Sequence, residues 1–320
     1  MKNEQEELMD VVPLYSEMEY DDAFRTMEGK CDDVLIPFVN HMFGEDYDKT
    51  AVIKRLRNEQ FVENSKGSKQ KRITDSSFEI TCNDITKRYH LECESKEYDG
   101  SILVRMYEYD TQIAKNHGEQ EDFKMRFPIP NSGLLLLRAP KQVPDHATIE
   151  IMAPDERVLT YDVRIVKVAD YSVEDLFEKK LYMLIPYYIF NYESKLRELE
   201  ENDDSLEELL DKYRDIFDRL EAEQEKSNLS SKSLDAIMNL TRSVTCKFTK
   251  NQSKVQRKVG DMMGGKILDL PCFKIHDEAK AEGLAEGRAE GEEERNRLAA
   301  ENARLKAEID EMKKQTSMDK

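Results

Sequence analysis

The chain has 320 residues, 36% of them charged and 39% hydrophobic, with a net charge of −18. That length supports one full-sized core plus an extension, and so high a charge points to elongated or disordered stretches beside it. The five cysteines (Cys31, Cys82, Cys93, Cys246 and Cys272) form no CxxC pair, which argues against a disulfide framework or a zinc site and for free thiols in a reducing cytoplasm.

Residues 1–22 hold eight acids and one base and have no apolar segment of signal-peptide type, so 1–20 reads as a disordered acidic N-terminus. A helix is predicted from about Tyr20 to Met42, because Phe24, Met27, Val34, Leu35, Phe38, Val39 and Met42 recur at helical spacing; Gly44 ends it. Phe61-Val62 starts a first strand, and the basic stretch 65–71 is a loop or hairpin tip. Two more strands, 72–80 and 89–95, are joined through the turn-prone Cys82-Asn83-Asp84. Alternation puts His90, Glu92 and Glu94 on one face of the second strand and Leu91 and Cys93 on the other. With the two strands as neighbours, Asp75 sits beside Glu92. Clustered carboxylates are costly unless neutralised, and a hard divalent cation does that well.

A helix then runs from Ser101 to about His117, with Gly118 as its cap, and 133–138 reads as a central strand covered on both faces. Segments 148–151 and 158–168 form a hairpin around Pro154-Asp155. Ser172 and Asp175 make a capping-box-like helix start. The apolar stretch 181–190 is too short to span a bilayer and reads as a buried helix kinked at Pro186, so no membrane association is expected. Residues 191–245 are helical and strongly charged, with Leu206, Leu209, Leu210, Tyr213, Ile216, Phe217 and Leu220 on one stripe. In the tail, 277–320, an Ala-Glu-Gly unit repeats every four residues. Leu298, Asn302, Leu305, Ile309 and Met312 then follow coiled-coil spacing with Asn302 at an a position, which suits a homodimer; a solvated single helix is the plainer alternative.

Charge is uneven. Residues 49–72 hold eight bases against two acids, and 229–276 nine against three. Phosphate binding follows the local field rather than the global sign, although such lysines and arginines can equally be an ordinary solvated surface.

The segments Thr74-Asp75-Ser76-Ser77-Phe78-Glu79-Ile80, Tyr89-His90-Leu91-Glu92-Cys93 and Arg105-Met106-Tyr107-Glu108-Tyr109-Asp110 resemble the recombination-promoting nucleases, bacterial proteins also described as PD-(D/E)XK nuclease family transposases. The likeness continues through Asp22-Ala23-Phe24-Arg25, Arg126-Phe127-Pro128, 185–193 and Met263-Gly264-Gly265-Lys266, and covers about Asp22 to Gly291. It implies an α/β fold: a restriction-endonuclease-like mixed sheet flanked by helices, in the order α-β-β-β-α-β that the elements of 20–138 also follow. The implied organisation is a nuclease domain over 21–190, a helical extension over 191–276 and a coiled-coil tail.

The implied activity is DNA endonuclease chemistry with Mg²⁺ or Mn²⁺, in a cytoplasmic protein. Asp75, Glu92 and the Cys93 carbonyl would be metal ligands, and Asp75, Glu92, Glu94 and Asp22 the catalytic set, with Glu28 as a substitute for Asp22. Arg25, Lys96 and Arg105 are candidate DNA contacts. One position departs from the pattern: Glu94 stands where the superfamily has Lys and this family usually Gln. Glu94 then serves as a further ligand or base, with Lys96 or Arg105 supplying positive charge, or the chain is a catalytically impaired DNA-binding protein. The residues by themselves also fit a solvated sheet face of acids, with Arg105 paired to Glu108 or Asp110. They fit a coiled-coil adaptor, or an enzyme acting on RNA or free nucleotides, as well.

Overall fold

The computed structural model describes residues 20–56, 59–63, 69–73, 75–139 and 142–267. The described residues up to Met263 form one compact unit. The expected acidic N-terminus, Ala-Glu-Gly repeat and coiled-coil seam lie outside the described residues.

Helix α1 (Tyr20–Lys30) and helix α2 (Asp32–Phe43) replace the single helix expected from Tyr20 to Met42. The chain breaks at Cys31, just after the weak helix former Gly29 and before Asp32-Asp33, whose charges favour a helix N-terminus. Gly44 ends α2 in the left-handed conformation at φ 67°, as expected. Strand β1 (Val52–Arg55) precedes the strand expected at Phe61; that strand is β2 (Glu59–Glu63), which pairs only with β3 (Lys69–Ile73) in a separate two-stranded sheet. Strand β4 (Ser76–Cys82) and β5 (Ile85–Glu94) follow, so the strand expected over 72–80 is interrupted before Asp75. Asn83 and Asp84, both at positive φ, make the tight turn between them.

Helix α3 (Ile102–Asn116) ends at His117 rather than Gly118. A small hairpin of β6 (Glu119–Glu121) and β7 (Lys124–Arg126) leads to β8 (Asn131–Leu136), which is followed by β9 (His146–Met152) and β10 (Val158–Lys167). The main sheet is mixed, in the order β1-β4-β5-β8-β10-β9, with β8 parallel to both its neighbours. The run 133–136 is accordingly central, and Leu134, Leu135 and Leu136 are all buried. Taken over the main sheet alone, the elements from α1 to β8 run helices, β1, β4, β5, α3, β8.

Alternation assigns the two faces. Phe78, Tyr89 and Leu91 lie on one, where Phe78 stacks on Tyr89 with ring centroids 5.5 Å apart and Phe43 of α2 closes over Tyr89. Leu134 and Leu136 lie on the other, packed with Ile102 and Met106 of α3. At Gly133 the side chains of α2 press directly on the sheet backbone. A Cβ there would lie 2.2 Å from Met42 Sδ and 2.8 Å from Leu91 Cδ2. Gly133→Ala is expected to destabilise by about 1–3 kcal/mol through overpacking, measured by denaturant unfolding.

Ser172 and Asp175 form the expected capping box of α4 (Val173–Glu178). The apolar stretch that follows is a long 3₁₀ helix, Tyr182–Lys195, not a kinked α-helix. Pro186 has no amide to donate, and the nine residues 182–190 are buried on every side, so no α-helical stripe is preferred. Helices α5 (Leu196–Glu201), α6 (Asp203–Glu225), α7 (Ser231–Phe248) and α8 (Ser253–Ile267) complete the described chain. The stripe from Leu206 to Leu220 is buried throughout, as expected. Met263-Gly264-Gly265, part of the family likeness, runs inside α8. Helix α7 packs against the 3₁₀ segment and α1. Asp33 of α2 caps it, accepting from Ser230 N at 2.7 Å. No helix among the described residues is long and apolar enough to cross a membrane.

Candidate functional site

Register builds the site. Ser76 pairs with Leu91, so one step further Asp75 comes directly opposite Glu92 at the end of β4. Directly opposed side chains on antiparallel strands share a face with Cβ atoms about 5 Å apart, and like charges there repel. The two carboxyls, expected side by side, do converge: Glu92 Oε1 accepts from the Asp75 amide at 3.0 Å, and Asp75 Oδ2 accepts from the Cys93 amide at 2.8 Å. Asp75 is 3% exposed and Glu92 2%. Burial and then the Glu92 charge push the Asp75 carboxyl up to about 7, against the pull of the Cys93 amide and Arg25.

Two arginines offset the acids. Arg25 of α1 bridges outward from Asp75 Oδ1 (2.7 Å) to Asp22 Oδ1 (3.2 Å), with Asp21 at 3.7 Å. Asp22 is half-exposed and is linked to Asp75 through Arg25. Arg105 of α3 lies 3.2 Å from Glu92 Oε2 and 3.3 Å from Glu94 Oε2. Asp110, one of the partners expected for Arg105, is taken instead by His90, Ser132 and Tyr161. Glu94 also accepts from the Lys96 amide at 2.9 Å. Strand β5 ends at Glu94, so Lys96 belongs to the following turn and is exposed. Arg25 Nε and Arg105 Nε are buried with no hydrogen-bond partner among the described residues.

Sequence reasoning placed His90 on the acid face but missed its inner partner, Asp110. His90, fully buried, lies between Asp110 Oδ1 (2.7 Å from Nδ1) and Glu92 Oε1 (3.1 Å from Nε2). Burial opposes its protonation, but the hydrogen bonds to Asp110 and Glu92 outweigh it and raise the imidazole to about 9. Asp110 accepts in turn from Ser132 Oγ and Tyr161 Oη. A signal for Asp110 existed: it falls four residues after Met106 and eight after Ile102, on the buried stripe of α3, where a carboxylate needs partners. The same holds for Glu28, four residues after Phe24 on α1.

Glu28 is 3% exposed, with Arg55 Nε 3.5 Å from its Oε1. Burial raises it to about 7, opposed by Arg55 and Ser76 and assisted by Asp32. A carboxyl held above its unfolded value binds its proton more tightly in the folded protein, so stability falls as pH rises from about 4.5 to 7. Glu28→Gln is therefore expected to raise the Tm at pH 8 by roughly 2–4 °C and to leave it unchanged at pH 4, read from thermal melts at both pH values.

The donors fit a hard divalent cation in kind. Two carboxylates come from adjacent strands, and the Cys93 carbonyl leaves the strand on the same side as its Asp75-bonded amide. The Cys93 thiol is buried beside Tyr187, with its pKa pushed well up by burial, so only the backbone of Cys93 suits this role. Among the described residues no three His, Cys, Asp or Glu side chains form a metal cage by themselves. Mg²⁺ needs none, since one or two carboxylates plus water and phosphate complete its shell. Comparison of the chain with protein-family models, with curated proteins and with solved structures gives no match.

Proposed function

We propose that the chain is a cytoplasmic, metal-dependent DNA endonuclease of the PD-(D/E)XK, recombination-promoting type. The observation that carries the reading is the direct opposition of Asp75 and Glu92 at the end of a strand pair, with the Cys93 backbone between them. The order of elements from α1 to β8 in the main sheet supports a restriction-endonuclease-like core. Arg25 and Arg105 stand beside the acids with side chains 29% and 40% exposed, within reach of a phosphodiester from solvent. The basic segment Lys69-Gln70-Lys71-Arg72 runs directly toward Asp75 in the chain.

Asp75, Glu92 and the Cys93 carbonyl would hold Mg²⁺ or Mn²⁺, which when bound supplies an activated water and offsets phosphate charge. The chain's own residues do the rest. Arg25 and Arg105 orient non-bridging phosphate oxygens, Asp22 fixes Arg25, and Glu94, with its side chain 15% exposed, is placed to accept a proton. The tail seam around Asn302 would bring two such sites to one duplex in a homodimer.

A second reading, DNA binding without cleavage, is favoured by one observation: Glu94 shares Arg105 with Glu92, so a third acid draws on the charge available for phosphate. Plasmid nicking by the purified chain in Mg²⁺, Mn²⁺ and EDTA, beside DNA binding at rising salt, separates the two. Cleavage that EDTA stops supports the nuclease. Salt-sensitive binding without cleavage supports the second reading. Neither activity overturns both and leaves the coiled-coil adaptor.

A further inference from the structure

Between α3 and the sheet lies a buried polar chain to which the proposed chemistry gives no task. Its members come from four elements: His90 on β5, Asp110 on α3, Ser132 on β8 and Tyr161 on β10. Asp110 Oδ1 lies 2.7 Å from both His90 Nδ1 and Ser132 Oγ, and Asp110 Oδ2 accepts from Tyr161 Oη at 2.9 Å. His90 and Asp110 are fully buried. Packing alone does not ask for this arrangement, because apolar side chains of similar volume are commonly neutral or stabilising in place of a buried ionic cluster.

Its geometric effect falls on Glu92. Oε1 is taken by His90 Nε2 at 3.1 Å and by the Asp75 amide at 3.0 Å, so Oε2 is the oxygen turned toward Arg105. We propose that Asp110 and His90 are positioning residues: they lock the Glu92 carboxylate so that Oε2 alone is presented to the divalent cation. The inference rests on the nuclease reading. It applies to a carboxylate ligand the logic by which carboxylate–histidine pairs orient ligands in metal centres, where loss of the outer partner costs 10–100-fold in affinity. Tyr161 and Ser132 fix Asp110 as Asp110 fixes His90.

The test is Mn²⁺ binding by calorimetry to the full chain, beside thermal melts and nicking across Mn²⁺ concentration. His90→Gln and Asp110→Asn are expected to weaken Mn²⁺ binding about 10-fold or more, with nicking partly restored at raised Mn²⁺. In a Glu92→Gln background, His90→Gln adds no further weakening, because it acts through Glu92. Tyr161→Phe removes only the outermost hydrogen bond and is expected to weaken Mn²⁺ binding about two- to five-fold; it decides the matter if the buried variants do not fold. Folded variants with lower Tm and unchanged Mn²⁺ affinity overturn the positioning role and leave the nuclease standing. A wild-type chain that neither binds Mn²⁺ nor nicks DNA overturns both.

Discussion

Asp75→Asn is expected to lower metal-dependent nicking on the order of 10²–10³-fold while the protein stays folded. The substitution keeps the shape of the side chain and an oxygen for the Cys93 amide, and removes the anion that would meet a cation. Stability should respond in a way peculiar to this site. Burial and Glu92 hold the Asp75 carboxyl at about 7, so in the wild type its charging disfavours the folded state as pH rises from about 4 to 7. Asn cannot charge. The variant should therefore lose less stability than the wild type over that window, in urea melts at pH 5 and pH 8. Full nicking activity in Asp75→Asn would remove Asp75 from the chemistry. A stability loss at pH 8 would mean that its bond to Arg25 outweighs its desolvation.

Glu92→Ala should behave in the opposite manner and cost about 3–5 kcal/mol of folding stability. Glu92 is the centre of a buried charge cluster: His90 and the Asp75 amide converge on Oε1, and Arg105 meets Oε2. Its removal leaves the His90 imidazole with one carboxylate instead of two and Arg105 with Glu94. Denaturant unfolding reads the loss directly. A cost below about 1 kcal/mol, the range of a surface ion pair, would mean that these contacts are not formed in solution. The two acids thus carry opposite stability signatures although they stand side by side.

Much of the frame was legible along the chain because it depends on local rules. Period-two alternation put His90, Glu92 and Glu94 on one face. Asn83-Asp84 marked the hairpin that brings Asp75 opposite Glu92, and Ser172 with Asp175 marked a helix start. The unbroken leucines of 134–136 announced a strand covered on both faces. Element boundaries were less legible. Cys31 splits one expected helix, and Tyr182–Lys195 winds as a 3₁₀ helix where burial on all sides erases the stripe that periodicity needs.

The sequence by itself determined which acids share a strand face and which turn joins the strands, because alternation and turn chemistry act over a few residues. Only the tertiary structure decided who neutralises them. Arg25 comes from 50 residues before Asp75, Asp110 from 20 after His90, and Tyr161 from 51 after Asp110. The pairing of buried charges follows from the low dielectric between α3 and the sheet, a property of a packed interior that residue spacing does not encode.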